Sequence, residues 1–280
     1  MLRTLPWILR SSHPVPGLAV TLIVVVLGLA AGLDPARLVL LGLVMLANQL
    51  SVGLSNDWID ADRDSRAGRT DKPVALGRVT RRAAAGWAFG TAAASVVLSI
   101  GLGWAAFLVH LVALVSAWSY NAGLKRTIIS VVPYIVTFGL LPLLATTSLN
   151  PPRGAAWWSL IAGALLGIAA HIANVLPDLG DDRATGVRGL PHRLGRVTSA
   201  VVIAVSTTAA AALIAVGLVV AGSAAVPVAI VLLVVSIGIA TTIVVLILAG
   251  RQTRALFLLM IAAALIDVVL LALGGRALLA

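Results

Sequence analysis

Asn56, Asp57, Asp60, Asp62 and Asp64 crowd together in NDWIDADRDSRAGRTDKP (residues 56–73), and Asp71 follows in the same stretch. Asn56, Asp60 and Asp64 are spaced four residues apart, so on a helix they share one face, with Asp57 beside them. Carboxylates stacked in this way repel each other by roughly 0.2–0.5 kcal/mol per exposed pair. A divalent cation removes that cost. Hard oxygen ligands suit Mg²⁺, which keeps part of its water shell and is usually shared with substrate phosphates.

Asn174, Asp178 and Asp182 repeat the spacing. A shift of 118 residues lays 56–80 on 174–198 without a gap, with ten identities in 25 positions. The shared residues include Gly68/Gly186, Pro73/Pro191 and the run Leu76–Thr80/Leu194–Thr198. Acids at a helix end often do no more than terminate an apolar run. Two copies at identical spacing argue against that reading here. Two facing stripes suit two or more Mg²⁺ ions around a diphosphate. Asp62 and Asp181 fall off the shared pattern and read as solvated or secondary residues. Asp71 reads as the partner of a neighbouring Arg or Lys.

Arg69, Lys72, Arg78, Lys125, Arg126, Arg183 and Arg188 lie among or near these acids and can reach phosphate oxygens, Arg in bidentate fashion. Any one of the arginines alone reads first as a membrane-orientation charge; Lys72 and Lys125 are the exceptions. Asn48, eight residues before Asn56, and His171, one turn before Asn174, are expected to line a pocket. His110 reads as a packing residue. Trp118 and Phe138 can face a cation, although a core or lipid-facing role fits each better. Asp267 is a carboxylate deep in an apolar run and is left without a role.

The elements that position these residues are apolar. Of 280 residues, 60% are hydrophobic and 11% charged, where a soluble domain carries about a quarter. Runs long enough to cross a bilayer recur, so the reading is an all-α polytopic membrane protein. Nine spans are expected near 16–33, 36–55, 82–101, 103–120, 128–147, 155–176, 198–221, 224–249 and 254–274. The N-terminus is read as leading into an uncut first span, because no clear small-residue cleavage site follows it. With that terminus cytoplasmic, 17 of the 20 basic residues fall on the cytoplasmic side, and only Arg37, Arg153 and Arg276 fall opposite. The net charge of +10 is thus a topology signal and calls for no nucleic acid. The absence of cysteine excludes disulfides and thiolate metal sites. Four spans separate the two motifs, which makes the halves parallel repeats within a single domain over 1–280. Repeat one covers about 16–120, repeat two about 128–249, and one helix near 254–274 is extra.

With NDWIDADRD (56–64), RTDKP (69–73), YNAGLK (120–125) and DLGDD with RATGVRGL (178–190) in order, the chain resembles the UbiA superfamily of intramembrane prenyltransferases. The resemblance implies Mg²⁺ held by Asn56, Asp57, Asp60, Asp64, Asp178 and Asp182, binding an isoprenyl diphosphate. It implies that Lys72 and Lys125 contact the diphosphate, that Tyr120 lines the site, and that an allylic carbocation is captured by a lipophilic, often aromatic, acceptor. Asp60, Asp64, Asp178, Asp182 and Lys125 are then the catalytic set. Asn56, Arg69, Lys72, Tyr120, Asn174, His171, Arg188 and Asn48 are the substrate-binding set. The expected location is the cell (inner) membrane, with the N-terminus and active-site loops cytoplasmic and membrane lipid as surroundings. Two positions depart from the family pattern. Lys72 stands where an Arg often precedes the proline, and four residues rather than three separate Tyr120 from Lys125. Both bear on the acceptor. The same fold also houses terpene cyclases and carotenoid elongases. A transporter fits less well, because its ionisable groups belong at mid-membrane.

Overall fold

The computed structural model describes residues 4–180, 186–222, 226–251, 254–273 and 275–279. Among these residues the chain forms ten α-helices joined by turns and short 3-10 segments. The short α1 (Leu5–Ser11) precedes α2 (Pro14–Ala31), which begins on a proline whose missing N–H costs nothing in a first turn. Asp34 caps α3 (Pro35–Arg66) by accepting from the Arg37 N–H at 3.0 Å. The 32 residues of α3 span roughly 48 Å, against a hydrocarbon core of about 30 Å. Its last turns therefore outrun the apolar layer, and they carry Asn56 to Asp64.

The remaining helices are α4 (Arg81–Ile100), α5 (Trp104–Ala122), α6 (Val132–Thr147), α7 (Trp157–Val175), α8 (Leu190–Val220), α9 (Val226–Leu248) and α10 (Arg254–Leu273). Among the described residues, seven helical segments are long and apolar enough to cross a membrane. Helices α9 and α10 occupy the stretches expected near 224–249 and 254–274.

Two details correct the sequence reading. Helix α8 starts at Leu190, well before the expected 198, because Pro191 suits a first helical turn; Gly195, at φ 72° and ψ 178°, then kinks it. The second motif is not one unbroken helical stripe. Pro177 stands where the first copy has Ile59, α7 ends at Val175, and a 3-10 turn (Leu176–Asp178) follows. A proline lacks the N–H that the α-ladder needs, and a tighter turn rotates Asp178 off the line of Asn174. Asp181, Asp182 and Arg183 lie outside the described residues.

Each long helix from α2 onward packs on the next, and α10 returns against α2, so the helices form a closed ring. Helices α6 and α7 touch closely at Gly163 and Gly167, where a Cβ would run into the backbone carbonyls of Phe138 and Tyr134. Leu18, Leu22, Val39, Val97, Val216 and Val234 point outward, as a lipid-facing belt requires. Polar contacts along the α3–α5 seam fix the height of α5. Asn48 meets His110 at 3.1 Å, the Trp118 indole donates to Ser51 Oγ at 2.9 Å, and Asn121 donates to Ser55 Oγ at 2.8 Å.

Candidate active site

The α3 stripe ends in three buried carboxylates, each with a basic partner. Lys72 donates to Asp57 at 2.7 Å, Lys125 to Asp60 at 2.5 Å, and Arg63 to Asp60 at 2.9 Å and Asp64 at 3.1 Å. Asp57, Asp60 and Asp64 are 1%, 1% and 3% exposed, so these contacts form away from bulk water. Asn56 ties the stripe to α5, donating to Asp60 at 3.3 Å and to Asn121 at 3.2 Å while accepting from Lys72 at 3.2 Å. Lys72 arrives from the turn after α3, and Lys125 from the 3-10 turn Leu124–Arg126 after α5. Burial pushes the Lys125 ammonium below the ordinary lysine value, and the Asp60 carboxylate works against that shift.

One oxygen on each acid has no partner. Asp57 Oδ2, Asp60 Oδ1 and Asp64 Oδ2 are buried and accept no hydrogen bond. A buried acceptor without a partner is costly, and three such oxygens on one helix face have the chemistry to accept a cation. As they stand, no three acidic or imidazole groups among the described residues converge on one point. The ammonium and guanidinium groups lie against the carboxylates instead. The hard oxygen donors fit Mg²⁺, and the interleaved bases fit phosphate oxygens.

Elsewhere the sequence-selected residues fall as follows. Arg69 makes a two-pronged pair with Asp71 at 2.9 and 3.1 Å and reaches Asp178 at 3.1 Å, so it joins the two acidic loops. Its hydrogen bond to Asp71 raises the Arg69 pKa further. Asp62 pairs with Arg81 on the surface at 2.7 Å. The Tyr120 ring packs against Tyr134 at 5.2 Å and His171 at 5.6 Å. His171 shares a hydrogen bond with Ser130 at 3.0 Å, and Asn174 donates to the Tyr134 hydroxyl at 3.3 Å. Tyr134 stacks on Phe138, which lines an apolar cleft with Ile23, Leu27, Leu141 and Leu166. Asn48 is 3% exposed and committed to His110 and Gln49, so it is a seam residue rather than an open pocket wall. Arg188 is exposed. Asp267 accepts from Ser236 at 3.1 Å, between α9 and α10.

Sequence reasoning missed His13, Arg63, Asn121 and Tyr134. Arg63 lies within NDWIDADRD and Asn121 within YNAGLK, but spacing marks Arg63 only as a topology charge and gives Asn121 no role. His13 reaches Asp57 at 2.9 Å across 44 positions of sequence, which no local spacing reveals.

One relative, the digeranylgeranylglyceryl phosphate synthase of Pyrococcus horikoshii, is 26% identical over 180 residues. That alignment takes in 62% of this chain and 63% of the relative, so the chain spans less than two thirds of the length of that relative. A solved UbiA homolog from Aeropyrum pernix superposes with a TM-score of 0.73 at 19% identity, over 90% of this chain and 94% of that one. A UbiA homolog from Archaeoglobus fulgidus, solved with GPP and Mg²⁺, gives 0.72 at 16% identity, over 94% and 99%. At these identities the structures speak for the fold. The sequence model of the UbiA prenyltransferase family, matching residues 17–264 and so nearly the whole ring of helices, goes further: the chain belongs to that family.

Proposed function

We propose that the chain transfers an isoprenyl group from an isoprenyl diphosphate to a lipophilic acceptor, aromatic in the first instance, in a Mg²⁺-dependent reaction within the membrane. The observation that carries this reading is the alternation at one end of the ring: three partnerless carboxylate oxygens beside Lys72, Lys125 and Arg63. Asn56, Asp57, Asp60 and Asp64, with Asp178 and Asp182 from the second loop, would hold the metal. When bound, Mg²⁺ supplies Lewis-acid stabilisation of the leaving diphosphate.

The chain's own residues do the rest. Lys72 and Lys125 turn from the acids to the diphosphate oxygens, with Arg69 and Arg188 in reserve at the loop rims. Charge builds on the diphosphate as the carbon–oxygen bond breaks and the leaving group takes both electrons, and fixed cations stabilise that change. Tyr120 and Tyr134 present ring faces toward which a carbocation is drawn. His171 and Asn174 complete that wall, and Asn48 supports it through the α3–α5 seam. The apolar cleft beyond Phe138 suits the isoprenyl tail. The acceptor attacks the cation and then loses a proton. Nine spans in two parallel four-helix repeats, with the N-terminus and acidic loops cytoplasmic, fit the matching helix pairs α3–α4 and α7–α8, each spanning one acidic loop.

The test uses purified protein in detergent with radiolabelled geranyl, farnesyl and geranylgeranyl diphosphates, with and without Mg²⁺. The acceptor panel holds quinone-precursor aromatics and, prompted by the name of the Pyrococcus relative, glyceryl phosphate lipids. A Mg²⁺-dependent adduct that Asp60→Ala and Asp178→Ala both abolish supports the transferase. A cyclic hydrocarbon formed without acceptor moves the reading to a cyclase. No binding of diphosphate by folded protein overturns it.

A further inference from the structure

His13 stands in the turn between α1 and α2, at φ 53° and ψ 63°. Among the described residues it is the only non-glycine residue with positive φ. That left-handed conformation suits glycine or asparagine better than a bulky side chain. The turn is seated firmly even so. Ser12 donates from Oγ to the Leu9 carbonyl at 2.7 Å, and a Cβ at Gly53 on α3 would run into the Ser12 carbonyl. Only glycine at 53 lets the turn press onto α3 beside Asp57.

The result is an imidazole delivered to the acidic stripe from outside it. His13 Nε2 lies 2.9 Å from Asp57 Oδ1 and 2.9 Å from Lys72 Nζ. Lys72 has three N–H donors, and the structure offers three acceptors: Asp57 at 2.7 Å, His13 at 2.9 Å and Asn56 at 3.2 Å. A single ring nitrogen does one thing at a time. With its lone pair at Nε2 the ring accepts from Lys72, and with its hydrogen there it donates to Asp57.

We infer that His13 is a positioning residue for Lys72: together with Asn56 it keeps the ammonium beside the acid stripe and aimed at a diphosphate once Asp57 is committed to a cation. The inference rests on the transferase reading for its ligand. Lys72 sits on a flexible four-carbon stem, and without Asp57 it would otherwise be held by one amide oxygen. If the turn alone mattered, glycine would serve there better. The side chain instead reaches inward to a buried pair.

The test is calorimetric titration of the full-length protein in detergent with inorganic diphosphate in the presence of Mg²⁺. His13→Gly keeps a left-handed turn and removes the ring. His13→Gln brings back an amide that can accept from Lys72. The Gly variant is expected to lose affinity by roughly tenfold, the size of one charge-assisted hydrogen bond, and the Gln variant by no more than about threefold. Added imidazole restores the Gly variant, because the His13 side chain is 38% exposed and its site opens to solvent. Diphosphate binding by the Gly variant equal to that of the wild type, or no rescue by imidazole, overturns the inference while leaving the transferase standing. Failure of the wild type itself to bind diphosphate overturns the transferase reading and this inference with it.

Discussion

Asp60 Oδ2 accepts from Asn56, Arg63 and Lys125, so one buried oxygen gathers contacts from α3 and from the turn after α5. Replacing Asp60 by Asn keeps the shape and removes the charge. Lys125 then loses its counterion in a dry setting and Arg63 keeps only Asp64, which costs on the order of 3 kcal/mol of stability. Prenyl transfer should fall by about a hundredfold or more, as when a preorganised charge is removed from a developing transition state. Melting curves and single-turnover assays with labelled geranyl diphosphate check both. Asp62→Ala is the contrast. Its pair with Arg81 is exposed and worth about 0–1 kcal/mol, so turnover and melting temperature should stay near wild type. At this scale the sequence spoke through local period: acids four apart on a helix are visible without a structure. His13 and Tyr134 were not, because each meets its neighbours only after distant helices have packed. Arg63 was read as a topology charge, and nothing in its spacing distinguished that from a contact with Asp60 and Asp64.

The helices were legible from apolar length, but their ends emerge from local contacts, as where Asp34 caps the start of α3 and where α8 begins at Leu190. The asymmetry between the two acidic motifs was harder to see. Pro177 replaces Ile59 in the repeat, and one lost N–H turns the end of α7 into a 3-10 segment where α3 runs straight on. The kink at Gly195 has a counterpart at Gly77, which at φ 69° sits in a turn before α4 rather than inside a helix. Shared residues thus gave similar turn chemistry within different elements. Close approach between elements makes a sharper prediction. Gly53→Ala forces the α1–α2 turn off α3 and should destabilise the protein by about 1–3 kcal/mol, as overpacking does. It should weaken diphosphate binding along with stability, since the same turn carries His13. Gly86→Ala, on α4, meets nothing within 4 Å of the added carbon and gains helix propensity, so it should melt at or above the wild-type temperature. Thermal melts of the two variants side by side decide the matter, and equal effects would show that the α1–α2 turn is not clamped as described.

At the scale of the whole molecule, three buried acids and three bases offset each other at one end of an apolar ring. Asp57, Asp60 and Asp64 face Lys72, Lys125 and Arg63 with little water between them. Neither kind of ligand binds this arrangement well alone. A cation must displace ammonium groups from the carboxylates, and a diphosphate must draw them away and leave the acids bare, which is expensive in a buried setting. Bound together, on the proposed function, the two would exchange partners: the cation would take the acids and the diphosphate the bases. The binding free energies of Mg²⁺ and diphosphate should therefore be coupled, with each tightening the other by about 5- to 150-fold, and reciprocally so. A calorimetric square measures this directly, with Mg²⁺ titrated with and without inorganic diphosphate and diphosphate titrated with and without Mg²⁺. Melting temperature should rise little with either ligand alone and clearly with both, because only the joint complex favours the native state strongly. Chelation of the metal should return the curve to that of the free protein. Independent binding of the two ligands would mean that the acid–base pairs need not open, and the ion exchange described for Lys72 and Lys125 would be wrong.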